Sequence, residues 1–319
     1  MTHVHSIGTQ RAPPPEDDFL EAVLEGLSRP QKSLPSRYFY DARGSELFER
    51  ITKLPEYYPT RVETELLASH AASITRDLPR GSVLVEFGSG SSIKTELLLR
   101  AFPRDGVYAP VDVSSAALED ARQRLALRFP DLIVWPIVSD FFKMRRLPQA
   151  LAGRPKLGFF PGSTIGNFTP ADASRLLGVF RSLLAPNGRL VIGVDLKKDV
   201  RVLERAYNDG AGITAEFNLN LIRRINNEIA PVVDINAFEH RAIYNVREGR
   251  IEMHLVSLRD QSFDIRGRRF FLARGETIHT ENSYKYTVPR FQAVARSAGW
   301  MSSQVWIDKD ELFSIHELT

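Results

Sequence analysis

Between Gly81 and Leu196 short apolar runs alternate with stretches of helical period. The runs are Val83–Phe87, Val107–Val113, Leu132–Val138, Leu157–Phe160 and Leu190–Val194, and Ile93–Ala101, Ala116–Leu127 and Ala171–Leu184 read as helices among them. Strand–helix alternation of this kind predicts parallel βαβ units in a doubly wound sheet. Asn187-Gly188 supplies a turn before the last run, whereas Pro110 and Pro136 fall inside two runs and blur their extents.

The flanks have a different texture. Leu20, Val23, Leu24 and Leu27 follow the i, i+3, i+4, i+7 spacing of a helix. Two polar-aromatic blocks come next, Arg37-Tyr38-Phe39-Tyr40-Asp41 and Leu54-Pro55-Glu56-Tyr57-Tyr58-Pro59, with more tyrosine than a helix core requires. Helices return from Lys197 to about Glu239, followed by a strand meander over Ala242–Val246, Ile251–Leu258, Ser262–Ile265 and Arg269–Leu272, with turn signals at Glu248-Gly249 and Arg266-Gly267. A last helix, Val288–Ala298, precedes strand-like runs near Gln304–Ile307 and Leu312–Ile315. The pattern is that of an α/β sheet interrupted by a second, inserted α+β domain. The expected division is 62–196 plus 286–319 for the first unit and 17–61 plus 197–285 for the second, with 1–16 a loose leader.

Composition narrows the chemistry. The 319 residues are 43% apolar and 25% charged, which suits a globular protein with a substantial core. The net charge of +3 is too small for a general nucleic-acid surface, and Arg266, Arg268, Arg269 and Arg274 read as a solvated hairpin. Cysteine is absent, which excludes disulfides, thiolate metal sites and cysteine nucleophiles. The histidines lack metal-ligand spacing, so no metal is expected, and His240, His254 and His279 read as surface or strand residues. The longest uncharged run, Leu157 to Ala171, is broken by Pro161, Gly162, Gly166 and Pro170, so no membrane span is expected. The first residues carry no signal-peptide pattern, and the expected location is the cytoplasm.

Glu86-Phe87-Gly88-Ser89-Gly90-Ser91-Ser92-Ile93-Lys94-Thr95 lies where the first strand passes into the first helix, the ligand-binding edge of such a sheet. Ile93 stands where a dinucleotide fingerprint needs its third glycine and where a Walker A loop needs glycine before Lys-Thr. A short acidic-x-Gly-x-Gly turn suits S-adenosylmethionine, which has no phosphates and needs close backbone contact at Gly88 and Gly90. Asp112 ends the second strand, where its two oxygens can accept from ribose hydroxyls. Asp140 and Phe141 end the third, where they can meet the adenine amino group and ring face. The competing structural reading is an ordinary strand–helix turn with both aspartates as helix caps.

These blocks, together with Gly162-Ser163-Thr164-Ile165-Gly166-Asn167, Arg205-Ala206-Tyr207 and Glu281-Asn282-Ser283-Tyr284-Lys285, resemble the histidine-specific methyltransferases that form hercynine on the route to ergothioneine. The resemblance runs from about Pro30 to the C-terminus. It implies a Rossmann-like methyltransferase sheet with an inserted substrate domain and three successive methylations of the histidine α-amino nitrogen. It further implies that Tyr57, Asn167 and Tyr207 hold the substrate carboxylate, that Glu281 and Ser283 bind the imidazole, and that Met253 borders it. Tyr40 would lie near the amino group, between acceptor and cofactor, making Tyr40 and Tyr57 the expected catalytic side chains. Gly88, Lys94, Asp112 and Asp140 match the family's cofactor positions. The Tyr40, Tyr57 and Tyr58 rings would line the site against the methylated cation.

The expected partner is therefore free L-histidine, with no metal, nucleic acid or membrane, and the chain is expected to act as a monomer. Three rivals stay open at this level: the same fold acting on another amino acid or small amine, a nucleotide-dependent oxidoreductase, and a non-catalytic cofactor-binding regulatory module. Each residue also has a bland competitor. Tyr57 and Tyr58 could pack a seam, Asn167 could be a turn residue, and Glu281 and Ser283 could share a strand face by period-two geometry alone.

Overall fold

The computed structural model describes residues 16–89 and 93–319; Gly90 and the leader up to Pro15 lie outside them. The chain begins with α1 (Glu16–Ser28), the short strand β1 (Lys32–Ser33), α2 (Ala42–Ile51) and α3 (Tyr58–Thr75). The sheet predicted from the apolar runs follows. It is built from β2 (Val83–Phe87), α4 (Ile93–Leu99), β3 (Val107–Asp112), α5 (Ser115–Arg128), β4 (Ile133–Val134), β5 (Ile137–Val138), β6 (Lys156–Phe160), α6 (Pro170–Leu184) and β7 (Arg189–Asp195). After α7 (Val200–Tyr207) and α8 (Ile213–Arg224) the chain makes β8 (Phe238–Asn245), β9 (Arg250–Ser257), the hairpin β10 (Gln261–Ile265) and β11 (Arg268–Leu272), and β12 (Thr277–Tyr284). It closes with α9 (Val288–Ser297), β13 (Ser302–Ile307) and β14 (Phe313–Leu318).

The large sheet runs in the order β13-β14-β7-β6-β2-β3-β4, with β5 also beside β3. Strands β2 to β7 pair in parallel, and β14 returns antiparallel against β7 after the second sheet is complete. This is a doubly wound, Rossmann-like sheet. Its strand order reverses at β2, and ligands bind outside the carboxyl ends of strands at such a reversal. Alternate residues feed two cores. Leu84, Tyr108, Leu157, Phe159, Val191 and Phe313 face one layer, and Val83, Val85, Phe87, Val111, Ile192 and Leu318 face the other.

The run Leu132–Val138 is two short strands rather than one. Val107 pairs with Ile133 and Val111 with Ile137, so in continued register Pro110 stands level with Pro136 in the gap. Neither proline can donate a ladder hydrogen bond, and the pairing opens where both occur.

The smaller sheet has the order β1-β12-β9-β8, with α7 and α8 against it. Strand β1, which the apolar pattern does not reveal, adds in parallel to β12. The expected boundary at 61/62 falls inside the first turn of α3, a helix that packs on α4, β7 and β14 of the large sheet. Among the described residues no helix is long and apolar enough to cross a membrane.

Candidate functional site

A recess is lined by Phe48, Ile51, Tyr57, Ala206, Tyr207, Thr214, Phe217, Met253 and Glu281. Four of these, Tyr57, Tyr207, Met253 and Glu281, come from the sequence reading; Phe48, Thr214 and Phe217 do not, because nothing in their local pattern separates them from core positions. Tyr57 ends the turn before α3, Tyr207 ends α7, and their rings meet edge to face at 6.1 Å. Phe48 stands edge-on to both Tyr57 (6.3 Å) and Tyr40 (5.6 Å), and Tyr40 also meets Phe217 at 5.8 Å. Tyr40 keeps 41% of its surface open although its ring packs on Phe48 and Phe217, so it stands at the rim of this aromatic cluster. Asp41 holds this turn in place: its Oδ1 accepts from the Gly44 N–H at 2.7 Å, capping α2, and from Asn220 Nδ2 on α8 at 2.8 Å.

A β-bulge decides which way Glu281 points. Strands β9 and β12 pair His254 with His279 and then Met253 with Glu281, leaving Thr280 as the extra residue. The parity flip sends Glu281 to the recess, with Met253, places Ser283 on the same strand face, where its hydroxyl lies 2.8 Å from the Tyr207 oxygen, and sends His279 to the opposite face, with His254. The bulge is secured by polar bonds. Thr280 Oγ1 donates to Asn218 Oδ1 (2.7 Å), the Asn218 amide donates to His240 Nδ1 (2.9 Å), and His240 Nε2–H donates to the Tyr207 carbonyl (2.8 Å). His240 is thus a strand residue that supports Tyr207. Among the described residues the Glu281 carboxylate has no hydrogen-bond partner, and burial pushes its pKa up to about 7 while Lys285 pulls it down.

Asn167 ends the turn Thr164–Asn167 that follows β6. The turn lies against β12 so closely that a Cβ on Gly166 would stand 2.8 Å from the Tyr284 carbonyl oxygen, so only glycine fits. The Asn167 amide, half-buried, has no hydrogen-bond partner among the described residues. Neither has the Tyr57 hydroxyl, whose pKa burial raises well above the ordinary value, with Tyr207, Tyr40 and Glu281 adding to it.

Behind the recess lies an ion cluster that the sequence reading missed. Lys285, 1% exposed, donates to Asp195 Oδ2 (2.6 Å), Ser283 Oγ (2.8 Å) and the Tyr207 hydroxyl oxygen (3.0 Å). Asp195, at the end of β7, also accepts from the Tyr58 hydroxyl (2.7 Å) and pairs with Lys198, and its N–H donates to Ser163 Oγ (2.9 Å). Burial lowers the Lys198 pKa to about 8. Tyr58 therefore belongs to this cluster and not to the aromatic lining of the recess. The one available signal was Lys285 itself, two residues from Ser283 and so on the same strand face.

The cofactor side is at the carboxyl ends of β2, β3 and β5, where Gly88, Asp112 and Asp140 fall. Gly88 has φ +73°, and a Cβ there would meet the Phe141 ring at 3.7 Å, so the missing side chain leaves a cradle beside an aromatic face. Asp112 Oδ1 accepts from the Ser114 N–H (2.9 Å), while Ser114 itself caps α5; Asp140 Oδ1 accepts from the Phe142 N–H (2.9 Å). Neither aspartate is a helix cap. Glu86 accepts from Thr95 Oγ1 (2.7 Å) and from Tyr108, and burial raises its pKa to about 8. Lys94 pairs with Glu63, a buried carboxylate on α3 that also accepts the Gly162 N–H at 2.9 Å. A glycine cradle, an aromatic face, two strand-end carboxylates and a lysine fit an uncharged ribose, an adenine and an amino acid end, with no phosphate to hold. They fit S-adenosylmethionine.

On the outer face, Glu252, His254 and His279 bring ligand-type atoms within 4.8 Å of one another, a grouping that chain spacing does not show. Arg250 (2.7 Å) and Asn245 (3.0 Å) already engage Glu252 Oε1.

The doubly wound sheet and the glycine cradle with strand-end carboxylates at its ligand edge describe an S-adenosylmethionine-dependent methyltransferase. A family model described as a histidine-specific, S-adenosylmethionine-dependent methyltransferase matches residues 19–319, and the chain belongs to that family. It is 39% identical over 293 residues to a histidine N-alpha-methyltransferase of Mycolicibacterium smegmatis, covering 90% of each chain. It is 36% identical over 299 residues to the protein of that name from Mycobacterium tuberculosis, again covering 90% of each. An ergothioneine biosynthesis protein 1 of Neurospora crassa is 30% identical over 312 residues, which span 94% of this chain and 35% of the fungal protein.

Proposed function

We propose that the protein transfers three methyl groups in succession from S-adenosylmethionine to the α-amino nitrogen of L-histidine, giving hercynine for ergothioneine biosynthesis. The observation that carries this reading is the recess itself: among the described residues, the Tyr57 hydroxyl and the Glu281 carboxylate in its lining have no hydrogen-bond partner, and Glu281 is the only charged side chain that lines it. Tyr57, Asn167 and Tyr207 take the carboxylate, Glu281 and Ser283 take the imidazole, and Met253 packs beside it. A site built to pair a polar group rejects analogues that lack it by orders of magnitude. Gly88, Lys94, Asp112, Asp140 and Phe141 hold the cofactor, with Tyr40 between the two ligands.

The cofactor supplies an electrophilic methyl carbon. The chain's own residues orient the acceptor so that the deprotonated amine points along the transfer line, and they exclude water from it; orientation of this kind accounts for large effective molarities. Tyr57 is held protonated by its raised pKa, so it donates a hydrogen bond and does not take the amine proton. That proton leaves through the open cleft beside Tyr40. Aromatic faces from Tyr40, Phe48 and Tyr57 stabilise the methylated cation by about 0.5–2 kcal/mol.

Residues 62–196 with 286–319 form the unit that holds the cofactor and lends Asn167 to the acceptor, and 17–61 with 197–285 supply the other acceptor residues. The protein acts as a cytoplasmic monomer on free histidine, without metal, nucleic acid or membrane. Incubation with S-adenosylmethionine and an amino acid mixture, followed by mass spectrometry, tests the reading. Stepwise mono-, di- and trimethylhistidine is expected. Methylation of a different amino acid, or no product, would overturn it.

A further inference from the structure

An amino acid carboxylate entering the recess meets no lysine or arginine among the residues that line it, and it shares the space with Glu281. Taking a carboxylate out of water without a nearby cation is costly. A cation stands directly behind the wall: the Lys285 ammonium lies 3.0 Å from the Tyr207 oxygen and 4.9 Å from the centre of the Tyr207 ring.

We propose that Lys285 is the buried counter-charge and positioning residue for the acceptor's carboxylate, acting through the Tyr207 hydroxyl. This rests on the reading above that Tyr207 faces that carboxylate.

Proton accounting supports it. All three Lys285 protons are committed, to Asp195, Ser283 and Tyr207. Tyr207 and Ser283 lie 2.8 Å apart, so one of their two hydroxyl hydrogens is spent between them and one remains for a ligand. If Ser283 donates to Tyr207, the Tyr207 hydrogen points at an acceptor, as a carboxylate is, and Ser283 keeps a lone pair for an N–H donor, as an imidazole can be. The opposite direction leaves Tyr207 with nothing to donate. A carboxylate at Tyr207 therefore selects the first arrangement, and Lys285 strengthens it by polarising the phenol from behind. Asp195 keeps the ammonium ionised and fixes it to the end of β7, which ties the acceptor site to the cofactor sheet. The placement also leaves no exposed cation in the recess to repel a sulfonium cofactor.

The test compares L-histidine with L-histidinamide, which keeps the amine and the imidazole and replaces the charged carboxylate by a neutral amide. Binding of each is measured by calorimetry to protein saturated with S-adenosylhomocysteine. Lys285→Met is expected to weaken histidine about ten- to a hundredfold, the range of a charge-assisted hydrogen bond, with little change for histidinamide, so the preference collapses. Tyr207→Phe keeps the Lys285–Asp195 pair intact and is expected to collapse the same ratio, and the double variant to add little more. Equal weakening of both ligands, or an unchanged ratio in either variant, would overturn the inference. Should Lys285→Met fail to fold, the ratio in Tyr207→Phe decides alone. Wild-type protein that binds no histidine would instead overturn the acceptor reading and this inference with it.

Discussion

Glu281 has a carboxyl that burial holds near pKa 7, and this shift has two consequences of opposite sign. Only the ionised form accepts an imidazole N–H strongly, so kcat/KM for histidine should rise with pH through about 7. In Glu281→Gln that inflection should disappear and kcat/KM should fall about ten- to a hundredfold; a profile identical to wild type would place the imidazole elsewhere. For stability the sign reverses. The folded state keeps a proton that the unfolded chain releases above about 4.5, so stability is lost as pH rises from there to about 7. The same variant should therefore melt higher than wild type at pH 8, measured by calorimetry without ligands.

Elements bring such residues together, and two glycines show how closely. Gly193 lies mid-strand in β7, where a Cβ would stand 2.0 Å from Glu63 Oε1. Gly193→Ala should displace Glu63 and, with it, Lys94, weakening S-adenosylmethionine roughly tenfold and lowering stability by about 1–3 kcal/mol. Unchanged cofactor affinity would show that Lys94 has no part in binding. Gly166→Ala should act on the other ligand. Its Cβ would press on the Tyr284 backbone, which cannot swing aside, so the turn carrying Asn167 must move. Histidine KM should rise several-fold, with cofactor affinity preserved. At this scale much was legible in the chain: every helix and strand expected between Val83 and Val194 is present, with ends displaced by a residue or two. The exceptions have local causes. The third strand splits at paired prolines, and β1 is too short for any periodic signal.

At the scale of the molecule, β14 lies between β13 and β7 in the large sheet, and its His316 is buried beside Ser314 and Phe291. Burial pushes the His316 pKa down to about 4. The unfolded chain takes up a proton below about 6.5 that the folded one refuses, so stability is lost as pH falls from 6.5 to 4. The loss amounts to about 3 kcal/mol. The melting-temperature difference between wild type and His316→Gln should shift by several degrees between pH 7 and pH 4.5, and a constant difference would exclude this histidine as the cause. The amino-acid sequence by itself determined the strand–helix alternation, the glycine turn with its strand-end carboxylates, and the blocks that mark the family, because periodicity and short motifs are local properties of a chain. Only the tertiary structure decided which way those blocks face. The bulge at Thr280 turns Glu281 into the recess, and Tyr58 turns away from it to Asp195, 137 positions along the chain. Lys285 finds the same carboxylate across 90 positions. Bulge parity and buried ion pairs depend on what lies across the strand or behind the wall, and neighbours in sequence carry no trace of that.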